Sequence, residues 1–242
     1  MNRFMIVVNP DKDTDSTVTN RIQSYLEAHG AACMVRDVFH LEFSDWEALK
    51  KEQFGCVLVL GGDGTLLRMA GETEDIDIPL FGINLGTVGF LTEGEVANIE
   101  EILDRLLTDD FTIEERMMVT GTVTKADGTT YRKSALNDIV ISRAGFSRLI
   151  GLNVSVDGQV LDTYEADGVV ISTPTGSTGY NLSAGGPIVS PDAELLVITP
   201  VSPHSLTAKS IVLSGKEEIT IEITKKRKTQ DTEAICSFDG GI

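Results

Sequence analysis

The chain has 242 residues, with 20 basic and 37 acidic side chains, a net charge of −17, 41% hydrophobic and 24% charged residues. These values describe a globular protein long enough to bury one large core or two smaller ones. They exclude a polyanionic partner such as nucleic acid or an anionic membrane surface. No apolar run approaches the ~18 residues of a membrane helix, and Met1-Asn2-Arg3-Phe4-Met5-Ile6-Val7-Val8-Asn9-Pro10 turns polar too early for a signal peptide. The three cysteines, Cys33, Cys56 and Cys236, are odd in number, widely spaced and without a CxxC pair. That usage predicts reduced thiols in a cytoplasmic protein.

Residues 3–9 read as a strand, followed by a loop at 10–15 rich in capping residues. A helix then carries Val18, Ile22, Tyr25 and Leu26 on one face and stops at Gly30. Residues 32–35 form a second strand. Ser44-Asp45-Trp46-Glu47 has capping-box spacing and starts a second helix, which makes Trp46 a packing residue. The fully apolar run 56–60 is a buried parallel strand. Residues 79–84 make another strand, 85–91 its glycine-rich exit loop, and 95–107 a helix with Ile99, Ile102, Leu103 and Leu106 on one side. Strands alternating with helices indicate a parallel α/β domain, placed at residues 1–110. From 111 to 242 the period changes to two, with strand-like runs at 117–124, 138–142, 152–156, 168–172, 195–199 and 218–223. Asp127-Gly128 and Asp157-Gly158 read as hairpin turns. This half is expected to be all-β and sandwich-like. Lys225-Lys226-Arg227-Lys228 reads as a solvated hairpin tip.

The chain is organised around Cys56-Val57-Leu58-Val59-Leu60-Gly61-Gly62-Asp63-Gly64-Thr65-Leu66-Leu67-Arg68. A strand that empties through glycines into a helix presents backbone N–H groups and a positive helix end to an anion. Gly61, Gly62, Gly64 and Thr65 are therefore candidate phosphate-binding residues. A P-loop needs Lys after its last Gly, and Thr65 stands there; a dinucleotide fingerprint needs Gly where Leu67 stands. A carboxylate inside a phosphate cradle repels phosphate unless it binds a metal or takes a proton from an attacking hydroxyl. Asp63 is thus a candidate kinase base, the plainer alternative being an N-cap in a tight turn. The overall acidity opposes an anionic substrate only weakly, because distant charges are screened beyond about 8 Å. It favours a divalent metal carried with the phosphates.

A second constellation is Asp167-Gly168-Val169-Val170-Ile171-Ser172-Thr173-Pro174-Thr175-Gly176-Ser177-Thr178-Gly179-Tyr180-Asn181, running on to Gly185-Gly186-Pro187. A strand opens there into hydroxyls and glycines, followed by an aromatic and an amide, which suits a ligand with ribose, phosphates and a flat ring. Ala135-Leu136-Asn137-Asp138 brings an amide and a carboxylate to a strand start, where they can grip a ribose diol or cap a turn.

With Val7-Val8-Asn9-Pro10, Asn84-Leu85-Gly86, Asn137-Asp138, Thr173-Pro174-Thr175-Gly176-Ser177-Thr178-Gly179-Tyr180 and Phe238-Asp239-Gly240-Gly241, the chain resembles the NAD kinase family. The Gly61–Thr65 turn alone is shared with diacylglycerol and sphingosine kinases; the other motifs are more specific. The resemblance implies transfer of the γ-phosphoryl of ATP, with Mg²⁺ or another divalent metal, to the 2′-hydroxyl of the adenosine ribose of NAD. It also implies a homodimer or homotetramer. Matched motif by motif, Asp63 is the proton acceptor and Gly64 lies against NAD. Asn137 and Asp138 hold the ribose, and Asp167, Thr178, Gly179, Tyr180, Asn181, Leu182 and Ser183 line the NAD site. Arg68 is a candidate NAD-binding residue, through a phosphate contact, and no protein metal ligands are assigned.

Three positions depart from the pattern. Asp138 stands where many members have Glu, Gly179 where Ala is usual, and Glu165 where many place a basic residue. The family usually continues for several strands past a motif like Asp239-Gly240-Gly241, so a closing segment beyond Ile242 is expected. A non-catalytic NAD sensor, needing no acid at position 63, and a lipid kinase are the alternatives. The acidic composition opposes the second. The donor range, ATP or also polyphosphate, is left open by the residues.

Overall fold

The computed structural model describes residues 1–86, 89–145, 149–205, 207–224 and 233–241; the basic run at 225–228 lies outside the described residues. The chain divides into two compact units, Met1–Glu114 and Glu115–Ile242.

In the first unit β1 (Arg3–Val8), α1 (Thr17–Ala28), β2 (Ala32–Asp37), α2 (Phe43–Lys51), β3 (Cys56–Gly61), α3 (Asp63–Glu72), β4 (Leu80–Asn84), β5 (Gly94–Glu95) and α4 (Ile99–Leu107) follow one another, with a 3₁₀ turn at Val96–Asn98 before α4. All the strands are parallel, in the order β2-β1-β3-β4-β5. Alternate strand residues feed two cores. Phe4, Ile6, Leu58, Leu60 and Ile83 pack with Ile22 and Leu26 of α1 and Ile99, Leu103 and Leu106 of α4. Met5, Val7, Val57 and Val59 pack with Leu49 of α2 and Leu66 and Met69 of α3, and Trp46 lies against this second core. Burial on both faces is why these strands read as continuous apolar runs. Because α1 and α3 cover opposite faces, the winding reverses between β1 and β3. In such sheets the crevice outside the carboxyl ends of the two strands at the reversal is where ligands bind.

Helix α2 begins two residues earlier than expected. Its capping box joins Glu42 and Asp45, not Ser44 and Glu47, and Glu47 pairs with Lys51 one turn on. Both registers satisfy the same spacing. The buried Asp45 also takes an ion pair from Arg36, which fixes the choice.

The second unit contains β6 (Val119–Thr124), β7 (Thr130–Ala135), β8 (Asp138–Arg143), β9 (Ile150–Val156), β10 (Gln159–Ala166), β11 (Gly168–Ser172), α5 (Tyr180–Ser183), β12 (Leu195–Val201), β13 (Ile211–Ser214), β14 (Ile219–Thr224) and β15 (Ala234–Phe238). Its strands pair antiparallel, as a five-stranded sheet β13-β12-β11-β8-β15, a three-stranded sheet β10-β9-β14 and the hairpin β6-β7. Leu152, Val154 and Tyr164 of the smaller sheet share one core with Ile139, Val169, Ile171, Ile198 and Phe238 of the larger. Residues 173–186 are not an irregular loop: Thr175–Thr178 is a 3₁₀ turn and α5 follows.

Candidate active site

In the first unit, the glycine turn sits at the carboxyl end of β3. Gly62 is the N-cap of α3 with no side-chain cap, and Asp63 is the first helical residue. Asp63 is therefore not the N-cap. Its half-buried carboxylate reaches the loop after β4. The Phe90 N–H donates to Oδ2 at 2.8 Å, while the Leu91 and Thr92 N–H groups and the Thr92 hydroxyl donate to Oδ1 at 3.2, 3.2 and 3.1 Å. Among the described residues Oδ2 thus holds one donor, and a carboxylate oxygen has room for a second. Gly89 makes this reach possible, since a Cβ there would lie 2.1 Å from Asp63 Oδ1. Gly64 is exposed, and among the described residues nothing lies within 4 Å of where a Cβ on it would stand. Thr65 is buried and its hydroxyl takes a hydrogen bond from Asn9 Nδ2 at 3.4 Å, so it joins the turn to the end of β1. Arg68, one turn along α3, is exposed and lies over the Phe39 ring at 5.6 Å.

In the second unit, the turn joining β7 to β8 carries Asn137 and Asp138. Asp239, at the far end of β15, holds it: its carboxylate accepts from the N–H groups of Leu136, Asn137 and Asp138 at 2.7, 2.8 and 3.0 Å. Asp138 is 6% exposed as a residue, and its carboxyl has no hydrogen-bond donor among the described residues. Burial first, and then the neighbouring Asp239 carboxylate, push it up to about 6. Asn137 Oδ1 is buried with no partner among the described residues. Buried acceptors without donors are costly and call for a ligand or water that donates. The turn approaches Gly176 so closely that a Cβ there would lie 2.0 Å from the Asn137 carbonyl oxygen.

The hydroxyl-rich stretch is split by direction. Thr173 donates to the Leu136 carbonyl at 2.5 Å, and Ser177 exchanges hydrogen bonds with Val189. Asn181 is fully buried, donating to the Ser177 and Pro187 carbonyls and accepting from the Thr199 hydroxyl. These groups brace the turn from within. Tyr180, Leu182 and Ser183 are exposed, and Thr178 and Gly179 half-buried. A cavity of about 490 Å³ is lined by Tyr180, Asp167, Arg143, Val201 and Ser202. Arg143 donates from Nε to the Asp167 carboxylate and from Nη1 to the Gly145 carbonyl, so Asp167 enters the cavity with its charge matched.

Sequence reasoning missed Arg143, Asp239 and the Phe90–Thr92 amides. Asp239 was visible only as part of a motif. The others meet their partners across a strand pair or a crossover, with no local spacing to mark them.

The family model described as ATP-NAD kinase N-terminal domain matches residues 4–111, and that described as ATP-NAD kinase C-terminal domain matches 136–242. The chain is 46% identical over 246 aligned positions to an NAD kinase of Lachnoclostridium phytofermentans, covering 100% of this chain and 86% of that one. It is 44% identical to an NAD kinase of Agathobacter rectalis, covering 99% and 85%. Among solved structures, an NAD kinase from Archaeoglobus fulgidus in complex with ATP superposes with a TM-score of 0.78 at 28% identity, covering 98% of this chain and 84% of that chain. Yeast NADH kinase complexed with NADH shares the fold, with a TM-score of 0.81 at 24% identity, covering 100% and 76%. The chain belongs to the ATP-NAD kinase family.

Proposed function

We infer that this chain transfers the γ-phosphoryl group of ATP to the 2′-hydroxyl of the adenosine ribose of NAD, giving NADP and ADP. The observation that carries the acceptor side is the pair of donorless acceptors on the β7–β8 turn. Among the described residues the Asn137 amide oxygen is buried without a donor and the buried Asp138 carboxylate accepts no hydrogen bond, and two adjacent hydroxyls supply two. A ribose diol fits this need. Tyr180 offers a ring face to a flat base, beside the cavity of Asp167 and Arg143. Residues 1–110 then handle the donor phosphates and 111–242 hold the dinucleotide.

As the 2′-oxygen attacks phosphorus, Asp63 Oδ2 takes its proton and the bond from phosphorus to the bridging oxygen of ADP breaks. Carboxylates are far too weak as bases to ionise an alcohol in advance, so the proton moves late, as it becomes acidic. The glycine turn supplies N–H groups to the phosphoryl oxygens. Among the described residues no group of three His, Cys, Asp or Glu could hold a metal ion. A divalent metal would arrive on ATP and keep phosphate and water ligands. When bound, the metal neutralises charge on the transferring group.

Three further readings belong to the proposal. The three free cysteines support a reducing, cytoplasmic setting; among the described residues no helix is long and apolar enough to cross a membrane. The edge strand β10 carries exposed Val160 and Leu161, an apolar edge that a second subunit would cover, which supports a homodimer or homotetramer. Arg68 is proposed to contact phosphate, a role that requires it to leave Phe39.

The test is Asp63→Asn in an assay of NADP formation from NAD and Mg·ATP. Turnover is expected to fall about 10²–10⁴-fold. Near-normal turnover would remove Asp63 from the role of base. Wild-type protein that binds NAD but makes no NADP would favour the sensor reading.

A further inference from the structure

Between β1 and β3, where the winding of the parallel sheet reverses, two loops meet. One is the glycine turn after β3; the other is the turn after β1. The second is firmly mounted: the Asn9 N–H donates to the Leu60 carbonyl at 2.8 Å, and the Lys12 N–H to the Asn9 carbonyl at 3.0 Å. The next residue, Asp13, is buried, and its carboxylate accepts from the Val18 and Thr19 N–H groups and the Thr19 hydroxyl at 3.1, 2.8 and 2.5 Å. The turn is thus tied to β3 at one end and to the start of α1 at the other.

From this mount the Lys12 side chain extends over the glycines. Its Nζ lies 2.7 Å from where a Cβ on Gly62 would stand and 3.7 Å from where one on Gly86 would stand. The ammonium therefore lies above the residue that caps α3 and beside the exit loop of β4. In a chain with 37 acidic side chains, this ammonium has no hydrogen-bond or ion-pair partner among the described residues. Nothing in the reading above uses it.

We propose that Lys12 is a phosphate-contact residue for the phosphoanhydride tail of ATP, holding the donor's phosphates against the amides of the glycine turn. This inference deepens the kinase reading and rests on it for the identity of the ligand. A phosphate over Gly62 meets N–H groups at its base and a point positive charge from the side. The amide cradle alone leaves much of a triphosphate's charge unmatched, and Asp63 beside it adds a negative charge. A lysine on a rigid turn offsets that repulsion within the screening distance of about 8 Å. Its flexible stem lets the ammonium follow the γ-phosphoryl group as it moves toward the acceptor.

The experiment compares wild type, Lys12→Met and Lys12→Arg in three measurements. These are steady-state KM for ATP and for NAD, calorimetric titration with ADP, and Tm. For Lys12→Met, KM for ATP is expected to rise about 10–100-fold and ADP affinity to fall in step, the range for a hydrogen bond between charged groups. KM for NAD and Tm should stay near wild type, and Lys12→Arg should recover most of the loss. The proposal is overturned if Lys12→Met keeps KM for ATP and ADP affinity within about two-fold of wild type, the scatter of neutral surface changes. It is equally overturned if NAD binding weakens as much as ATP binding. Wild-type protein that makes no NADP would sink the kinase reading, while ADP titration still reports on Lys12 by itself.

Discussion

Asp138 places a carboxyl where charge is costly until a ligand arrives. Its usual value of 3.8 is pushed up to about 6, by burial and then by Asp239. A carboxyl raised on folding binds its proton more tightly in the folded state. Its contribution to stability is therefore complete below pH 3.8 and is lost as pH rises through about 6. At neutral pH the group is charged and without a donor among the described residues; under the proposed function, ribose hydroxyls return what burial took. KM for NAD is thus expected to rise as pH falls through about 6, and Asp138→Asn should flatten that limb of the kcat/KM profile. Besides the base role proposed for it, Asp63 ties α3 to the Phe90–Thr92 segment through four hydrogen bonds among the described residues. Asp63→Ala should cost about 1–3 kcal/mol of stability, visible as a lower Tm, whereas Asp63→Asn retains an acceptor at Oδ1 and should lose turnover with a smaller shift. If Tm and turnover fall together in both variants, Asp63 is a brace and not a base.

The elements themselves were largely legible. Residues 56–60 and 168–172 fall inside β3 and β11, because buried strands write their burial into every residue. The strand β10 is exposed at most of its positions and so carried no alternation to read. What local sequence could not show is how elements are joined at the site. The Asp63 donors lie 27 to 29 residues away, and no spacing rule connects them. The same holds for the inward turn of Thr173, Ser177 and Asn181, whose side chains look ligand-ready in sequence and are occupied within the unit. The coupling predicts that Gly89→Ala, which sets a methyl 2.1 Å from Asp63 Oδ1, displaces the carboxylate. It should depress kcat about as far as Asp63→Asn while leaving ADP titration of the glycine turn nearly unchanged.

For the molecule as a whole, the thiols report on core integrity. Cys56 is buried in the first unit, and desolvation pushes it up to about 12; Cys33 is pushed to about 11. Thiolate is the reactive form, so native protein at pH 8 should take up an alkylating reagent at Cys56 only after unfolding in denaturant, as followed by mass spectrometry. Asp239 has a different consequence. It closes the β7–β8 turn from positions 101 to 103 residues downstream. During synthesis, that turn waits for nearly the whole second unit to leave the ribosome before its three amides find their acceptor. A nascent chain halted upstream of residue 239 would leave those three amides without this acceptor, so under the proposed function the β7–β8 turn gains its ribose-holding shape only once Asp239 has been made.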